Sequence, residues 1–199
     1  MHISEPDFEK FLEALKFSAA RHSAQKRKNK EASPYINHPI EVTEILWQVG
    51  KVRHMPTLLA ALLHDTLEDT ATRPEEIRAQ FGEEVLALVQ EVSDDKRLPK
   101  QERKRLQVVN APHKSLPARQ IKLADKISNV RDIIHTPPAD WPLQRKREYL
   151  EWTAQVIAGL RGPNPALEAY YDQTLAEGWA LLEEEARSDR ESNQEHTKT

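Results

Sequence analysis

Apolar residues return every three or four positions through most of this chain, the period at which one face of an α-helix buries itself. Phe8, Phe11, Leu12 and Leu15 mark a first helix, with Ser4 as N-cap and Asp7 three residues on. The periodicity stops in the polar run Arg21 to Ser33, which reads as a loop. Val42, Ile45, Leu46 and Val49 predict a second helix from near Asn37, closed by Gly50. Pro56 opens a third, Leu58 to Asp69, apolar enough in its first half to lie in the core. Thr72 with Glu75 carries a capping-box signature before a short helix ending at Phe81-Gly82, and Val85, Leu88, Val89 and Val92 give the next. A basic helix from Pro99 to Asn110 follows, then one after Pro117 holding Ile121, Ala124, Ile127 and Val130. Trp141 to Leu160 and Pro165 to Leu182 complete the set. No stretch alternates with period two for long enough to read as a strand, and no repeat or linker divides the chain. The pattern predicts one all-α domain over residues 1–182, a bundle of about nine helices. A polar tail without an apolar face, residues 183–199, is expected to be disordered.

Composition narrows the function classes. With 199 residues the chain can bury a core without staples, and its five glycines argue against a turn-rich barrel or sandwich. A formal charge of −3 gives no global pull towards nucleic acid or an anionic membrane. The absence of cysteine excludes a disulfide framework, a thiolate zinc site and a cysteine nucleophile together. No apolar run reaches membrane-spanning length, and Met1-His2-Ile3-Ser4-Glu5 shows no basic segment leading into an apolar one, so a soluble cytoplasmic protein is expected.

Four residues stand out as candidate chemistry: His38, the adjacent pair His64-Asp65, and Asp125. Imidazole with carboxylate suits Mn²⁺, Fe²⁺, Zn²⁺ or Mg²⁺. His64 and Asp65 end an apolar helix, where an unpaired neutral polar group costs roughly 2–7 kcal/mol and a charge more. A buried His–Asp hydrogen bond would also satisfy them, with His38 merely capping its helix. Glu68 and Asp69, each four residues after one of that pair, bring the segment to three carboxylates in six residues, which repel unless a cation or a shared proton offsets them. Asp125 and Asn129 share a helix face, with Lys122 close to it. Arg27-Lys28-Asn29-Lys30 precedes His38 and can set cations beside phosphates, although a solvated loop reads the same way. Lys96, Arg97, Lys100, Arg103, Lys104 and Arg105 form a second basic stretch, either a cleft rim or a balance to nearby acids.

Taken in order, Arg27-Lys28, Pro34-Tyr35-Ile36-Asn37-His38-Pro39, Ala60 to Asp69, Asp94-Asp95-Lys96, Glu102 to Gln107 and Lys122 to Lys126 resemble the hydrolase domain of the RelA/SpoT alarmone enzymes. These are HD-domain metallohydrolases, and the likeness is strongest to small stand-alone members of the metazoan SpoT-homologue type. It runs from about the first helix to near Gly162. The resemblance implies a single HD-domain helical bundle that hydrolyses guanosine tetra- and pentaphosphate, releasing the 3′-pyrophosphate and leaving GDP or GTP. It implies one Mn²⁺ held by His38, His64, Asp65 and Asp125, with Glu68 and Asp69 handling the attacking water. Arg27, Lys28 and Asn129 match nucleotide-contacting positions, and Lys96 is a further candidate for the phosphates. Ser128 departs from the His that many long members carry before that Asn. The length leaves no room for a synthetase domain, so only the hydrolytic direction is expected. The partner is a small nucleotide, not nucleic acid or membrane. The same site acting on the 2′-phosphate of NADPH or on adenosine alarmones, and a nucleotide sensor without turnover, are the alternatives.

Overall fold

The computed structural model describes residues 4–196, and side-chain environments through Glu191. Residues 1–3 of the N-terminal segment and 197–199 of the tail lie outside the described residues. The helices are α1 (Glu5–Arg21), α2 (Asn37–Gln48), α3 (Met55–Leu63), the single turn α4 (Thr66–Asp69), α5 (Pro74–Phe81), α6 (Glu83–Val92), α7 (Lys100–Asn110), α8 (Leu116–His135), α9 (Leu143–Leu160) and α10 (Pro165–His196). A 3₁₀ turn, Ala111–His113, joins α7 to α8. No strand forms among the described residues; two isolated bridges, Lys26 with Pro34 and Asn29 with Pro138, pin the basic loop.

Two helices organise the core. In α3 every residue from Thr57 to Leu63 is buried, and in α8 every residue from Ile121 to Ser128 is. Helix α8 packs against α2, α9 and α10, while α3 packs against α1, α2 and α6. Burial all round removes the option of solvating side chains, so the buried polar groups of α8 need partners. The Lys122 ammonium donates to the Val92 carbonyl at 3.1 Å, and Lys126 pairs with Asp125 at 2.9 Å.

Local chemistry explains the boundaries. Ser4 caps α1 by accepting from the Asp7 amide at 3.3 Å, and Ser115 caps α8 through the Ala118 amide. The capping box of α5 lies one residue beyond Thr72 and Glu75: Arg73 is the N-cap, and the Glu76 carboxylate accepts from its amide at 2.9 Å. Thr72 instead bonds Thr70, its own turn claiming the hydroxyl. Gly82, at φ 89°, both ends α5 and starts α6, a backbone geometry that favours glycine. On α9, Gly159 allows the 3₁₀ turn to approach, since a Cβ there would sit 2.8 Å from that of Ala111.

Two further expectations change. The helix read as continuous from Leu58 to Asp69 breaks at His64-Asp65, between α3 and α4. Side chains take the carbonyls that would extend it: His64 Nδ1 donates to the Ala61 carbonyl at 2.8 Å, and the Thr66 hydroxyl to that of Leu63 at 2.7 Å. Helix α10 also continues past Leu182. Ala186 is buried, and the Lys146 ammonium holds both oxygens of Glu185 at 2.8 Å, which carries the packed domain beyond the boundary at 182.

Candidate metal centre

Three separate elements bring the four residues together. His38 lies in the first turn of α2, His64 and Asp65 in the break after α3, and Asp125 in the middle of α8. His38 Nε2 is 3.2 Å from Asp125 Oδ1 and 3.8 Å from Asp65 Oδ2; His64 Nε2 is 3.1 Å from Asp65 Oδ2 and 3.8 Å from Asp125 Oδ1. Ligand atoms of His38, His64 and Asp65 all fall within 4.8 Å of one another, a grouping that fits one metal ion.

The hydrogen bonds around the cluster aim lone pairs inward. A carbonyl only accepts, so His64 Nδ1 carries the proton given to Ala61 and its Nε2 is left as a base. That Nε2 is buried without a hydrogen-bond partner. Burial alone would lower the basicity of His64, but the carboxylates of Asp65 and Asp125 outweigh it and raise the pKa to about 9. The same charges that hold a proton there would hold a cation. His38 faces the opposite balance, with burial holding its pKa below the ordinary imidazole value. Burial opposes ionisation of Asp65 and Asp125, yet both stay well below the carboxylate range, drawn down by the histidines and, for Asp125, first by Lys126. Two imidazoles, two anionic carboxylates and an orphaned buried Nε2 form a donor set that fits a divalent ion.

Further donors hold the same carboxylates, partly on the oxygens that face the imidazoles. Tyr35 donates to Asp65 Oδ2 at 2.6 Å and lies 3.4 Å from Asp69 Oδ2, so one hydroxyl spans a cluster residue and the neighbouring acid. Asp125 takes Lys126 on Oδ2 and the Asn129 amide on Oδ1, at 2.9 and 2.6 Å. The Lys126 ammonium also lies 4.9 Å from the centre of the Trp152 ring. Neither Tyr35 nor Lys126 stood out in the sequence. Lys126 follows Asp125 directly, and the charge pair inside an apolar helix was the signal that could have found it.

Glu68 and Asp69 do not share one unbroken helix face with His64 and Asp65. Asp69 stays with Asp65 through Tyr35, whereas Glu68 turns to the loop after α6, accepting from the Asp94 amide at 3.0 Å. Its carboxyl pKa is raised, mainly by burial and also by Asp65 and Asp94, against the pull of that amide and Lys96. Lys96 reaches Glu68 at 3.3 Å and Asp69 at 2.5 Å, and so tethers the two acids to each other. Arg103 approaches Glu68 at 3.5 Å.

Beside the cluster opens a cleft of about 280 Å³, lined by Arg27, Lys28, Tyr35, Asp69, Asn129, Asp132, Trp141 and Tyr149 among others. Arg27 is committed within it, forking onto Asp132 and reaching the side-chain oxygen of Asn129 at 3.1 Å. Lys28 is exposed and has no carboxylate within ion-pair distance among the described residues. Trp141 and Tyr149 meet edge to face at 5.6 Å and supply an aromatic wall. The structure thus gathers all ten sequence-selected residues around one cluster and one cleft, with Lys96 on the acids.

Residues 14–163 match the family model described as HD domain. The chain is 51% identical over 161 residues to the guanosine-3′,5′-bis(diphosphate) 3′-pyrophosphohydrolase MESH1 of Xenopus tropicalis, covering 81% of this chain and 90% of the relative. It is 52% identical over 157 residues to the human protein of that name, covering 79% and 88%. A solved structure described as a metazoan ortholog of SpoT that hydrolyzes ppGpp and plays a role in starvation responses superposes with a TM-score of 0.83 at 42% identity, over 88% of this chain and 97% of the other.

Proposed function

We propose that this chain, which belongs to the HD domain family, hydrolyses guanosine 3′,5′-bis(diphosphate), releasing the 3′-pyrophosphate and leaving GDP, and GTP from the pentaphosphate. The observation that carries this reading is the convergence of two imidazole nitrogens and two carboxylates from α2, the α3–α4 break and α8, beside a basic, aromatic-walled cleft. Relatives named for this activity, covered over most of their length, support it.

His38, His64, Asp65 and Asp125 would hold one divalent ion, and two nitrogen donors suit Mn²⁺ better than the oxygen-preferring Mg²⁺. When bound, that ion supplies Lewis acidity, offsetting phosphate charge and making water a better nucleophile. Phosphoryl transfer asks little covalent work of a protein, so its own residues position groups and balance charge. Glu68 orients the attacking water and takes its proton, its raised pKa suiting a base that must also release that proton. Asp69, held by Tyr35 and Lys96, keeps the water aligned. Lys96 balances the charge of the acid pair. Lys28 meets substrate phosphate directly, while Arg27 and Asn129 shape the cleft floor and Tyr149 offers a face to the base.

The test is purified chain with guanosine tetraphosphate, Mn²⁺, Mg²⁺ or chelator, following pyrophosphate and GDP by ion-exchange chromatography. Pyrophosphate and GDP in equal amounts, lost in chelator and restored better by Mn²⁺, is the expected result. Full turnover in excess chelator would remove the metal, and faster release of phosphate from NADPH or of pyrophosphate from the adenosine analogue would reassign the substrate.

A further inference from the structure

The face of His38 turned away from the cluster carries a second set of polar contacts that the reaction itself does not use. Its Nδ1 lies 2.9 Å from the Ser128 hydroxyl on α8, a side chain with no solvent exposure. That hydroxyl donates to Glu41 Oε2 at 2.8 Å, one helical turn along α2 from His38. The other Glu41 oxygen lies 3.4 Å from Arg131 Nε, and Arg131 donates onward to the Tyr170 hydroxyl of α10 at 2.8 Å. A line of contacts therefore runs from the cluster through α8 and α2 to the last helix.

The direction of this line follows from valence. A carboxylate only accepts, and Ser128 has one proton, which Glu41 receives. The Ser128 oxygen is left to accept, so His38 must donate from Nδ1. A neutral imidazole protonated on Nδ1 has its lone pair on Nε2, the atom facing Asp125 and Asp65. Were the serine proton free, it could turn to Nδ1 and leave the proton on Nε2, a form that cannot ligate.

We propose that Glu41, acting through Ser128, is a positioning residue that locks His38 in its metal-ligating tautomer and orientation. The inference rests on the proposed metal site and adds residues to it. His64 obtains the same result from the backbone carbonyl of Ala61, a fixed acceptor. His38, in the first turn of its helix, uses side chains from two helices instead, which couples its orientation to the packing of α2 on α8.

The test is Mn²⁺ affinity by titration calorimetry on the full chain, with ¹⁵N-histidine NMR of the metal-free protein. Wild type should show His38 protonated on Nδ1. Ser128→Ala and Glu41→Ala should each weaken Mn²⁺ binding about 10–100-fold, the range for groups that orient a metal-bound histidine, and shift the His38 tautomer ratio. Ser128→Thr, which keeps the hydroxyl, should restore most of the affinity. The double variant should lose little more than either single one, since both break one line. Additive losses, or an unchanged tautomer with unchanged affinity, would overturn the inference. Failure of the wild type to bind Mn²⁺ at all would instead overturn the metal site beneath it. An ensemble melt of each variant separates both cases from unfolding: equal loss of Mn²⁺ affinity and of thermal stability in Ser128→Thr would mean packing alone.

Discussion

His38, His64 and Asp125 are at most 5% exposed, whereas Lys96 on the rim, at 46% side-chain exposure, and Lys28 at the mouth of the cleft face water. The buried cluster is over-determined: each imidazole Nδ1 and the carboxylates of Asp65 and Asp125 have further partners in the surrounding helices and in the turn before α2. The rim has one-sided contacts, and its cations meet solvent and salt. In the cluster, removing one group strands the charge of another at low dielectric; on the rim, water replaces the lost partner. The fold therefore sets the geometry of the cluster, whereas the roles proposed for the rim are attraction of substrate and proton traffic.

The largest effect should come from breaking the cluster. Asp125→Ala strands Lys126 in the core and should cost about 3–5 kcal/mol in a denaturant melt, the range for opening a buried pair. It should also lose bound metal and turnover, whereas His64→Ala should lose metal and turnover with a smaller stability cost. Metal content by mass spectrometry decides the matter, and retention of stoichiometric metal in either variant would remove that residue from the ligand set.

The next effect separates catalysis from metal holding. Glu68→Gln should keep metal and KM while kcat falls by roughly 10²–10⁴, the usual contribution of a general base. In wild type, the acid limb of kcat/KM should lie above the ordinary glutamate value of 4.5, because burial raises this carboxyl, and the limb should vanish in the variant. The linkage runs the same way. A carboxyl whose folded pKa is raised adds stability only while protonated and loses it as pH rises through that pKa. Glu68→Gln should therefore melt higher than wild type at pH 7 in chelator, with the gain disappearing below about pH 4.5. A lower melting point at pH 7 would mean that the contacts with Lys96 and Arg103 dominate.

Tyr35→Phe lies between the two regions, since its hydroxyl touches Asp65 and Asp69. Activity or Mn²⁺ affinity should fall about 10–100-fold, the range for groups that orient metal ligands. A change confined to KM would move Tyr35 to the nucleotide cleft. Lys28→Ala should be the mildest, raising KM about three- to tenfold at low salt by analogy with other exposed charge contacts. The gap to wild type should narrow as ionic strength rises, because salt screens the exposed charge. A salt-independent gap would mean that the contact of Lys28 with the phosphate is shielded from solvent.

Much of this was legible along the chain because it is local. Helical periodicity, proline at the first turns and serine caps need only neighbours within a turn or two, and they located most of the helices. The six-residue run from His64 to Asp69 announced its own chemistry through its charge density, and the ordered segments carried the family. The break inside that run was not legible, since it depends on which side chain wins each carbonyl.

Partner choice was the other thing beyond local reach. Lys96 reads as a phosphate ligand in sequence but lies on Glu68 and Asp69; Arg27 is spent on Asp132 and Asn129. The helical continuation of α10 past Leu182 rests on Ala186 packing and on Lys146, remote in sequence, which no periodicity within the tail reports. What the sequence by itself determined was the helical class, the kind of atoms offered to a cation and the family to which they belong. Tertiary structure alone decided which atoms face one another. His38, His64 and Asp125 are far apart along the chain, and only the packing of α2 and α3 against α8 brings both imidazoles within 4 Å of the Asp125 carboxylate. Separations of that kind are set by the volume of the apolar side chains between helices, not by the polar residues that use them.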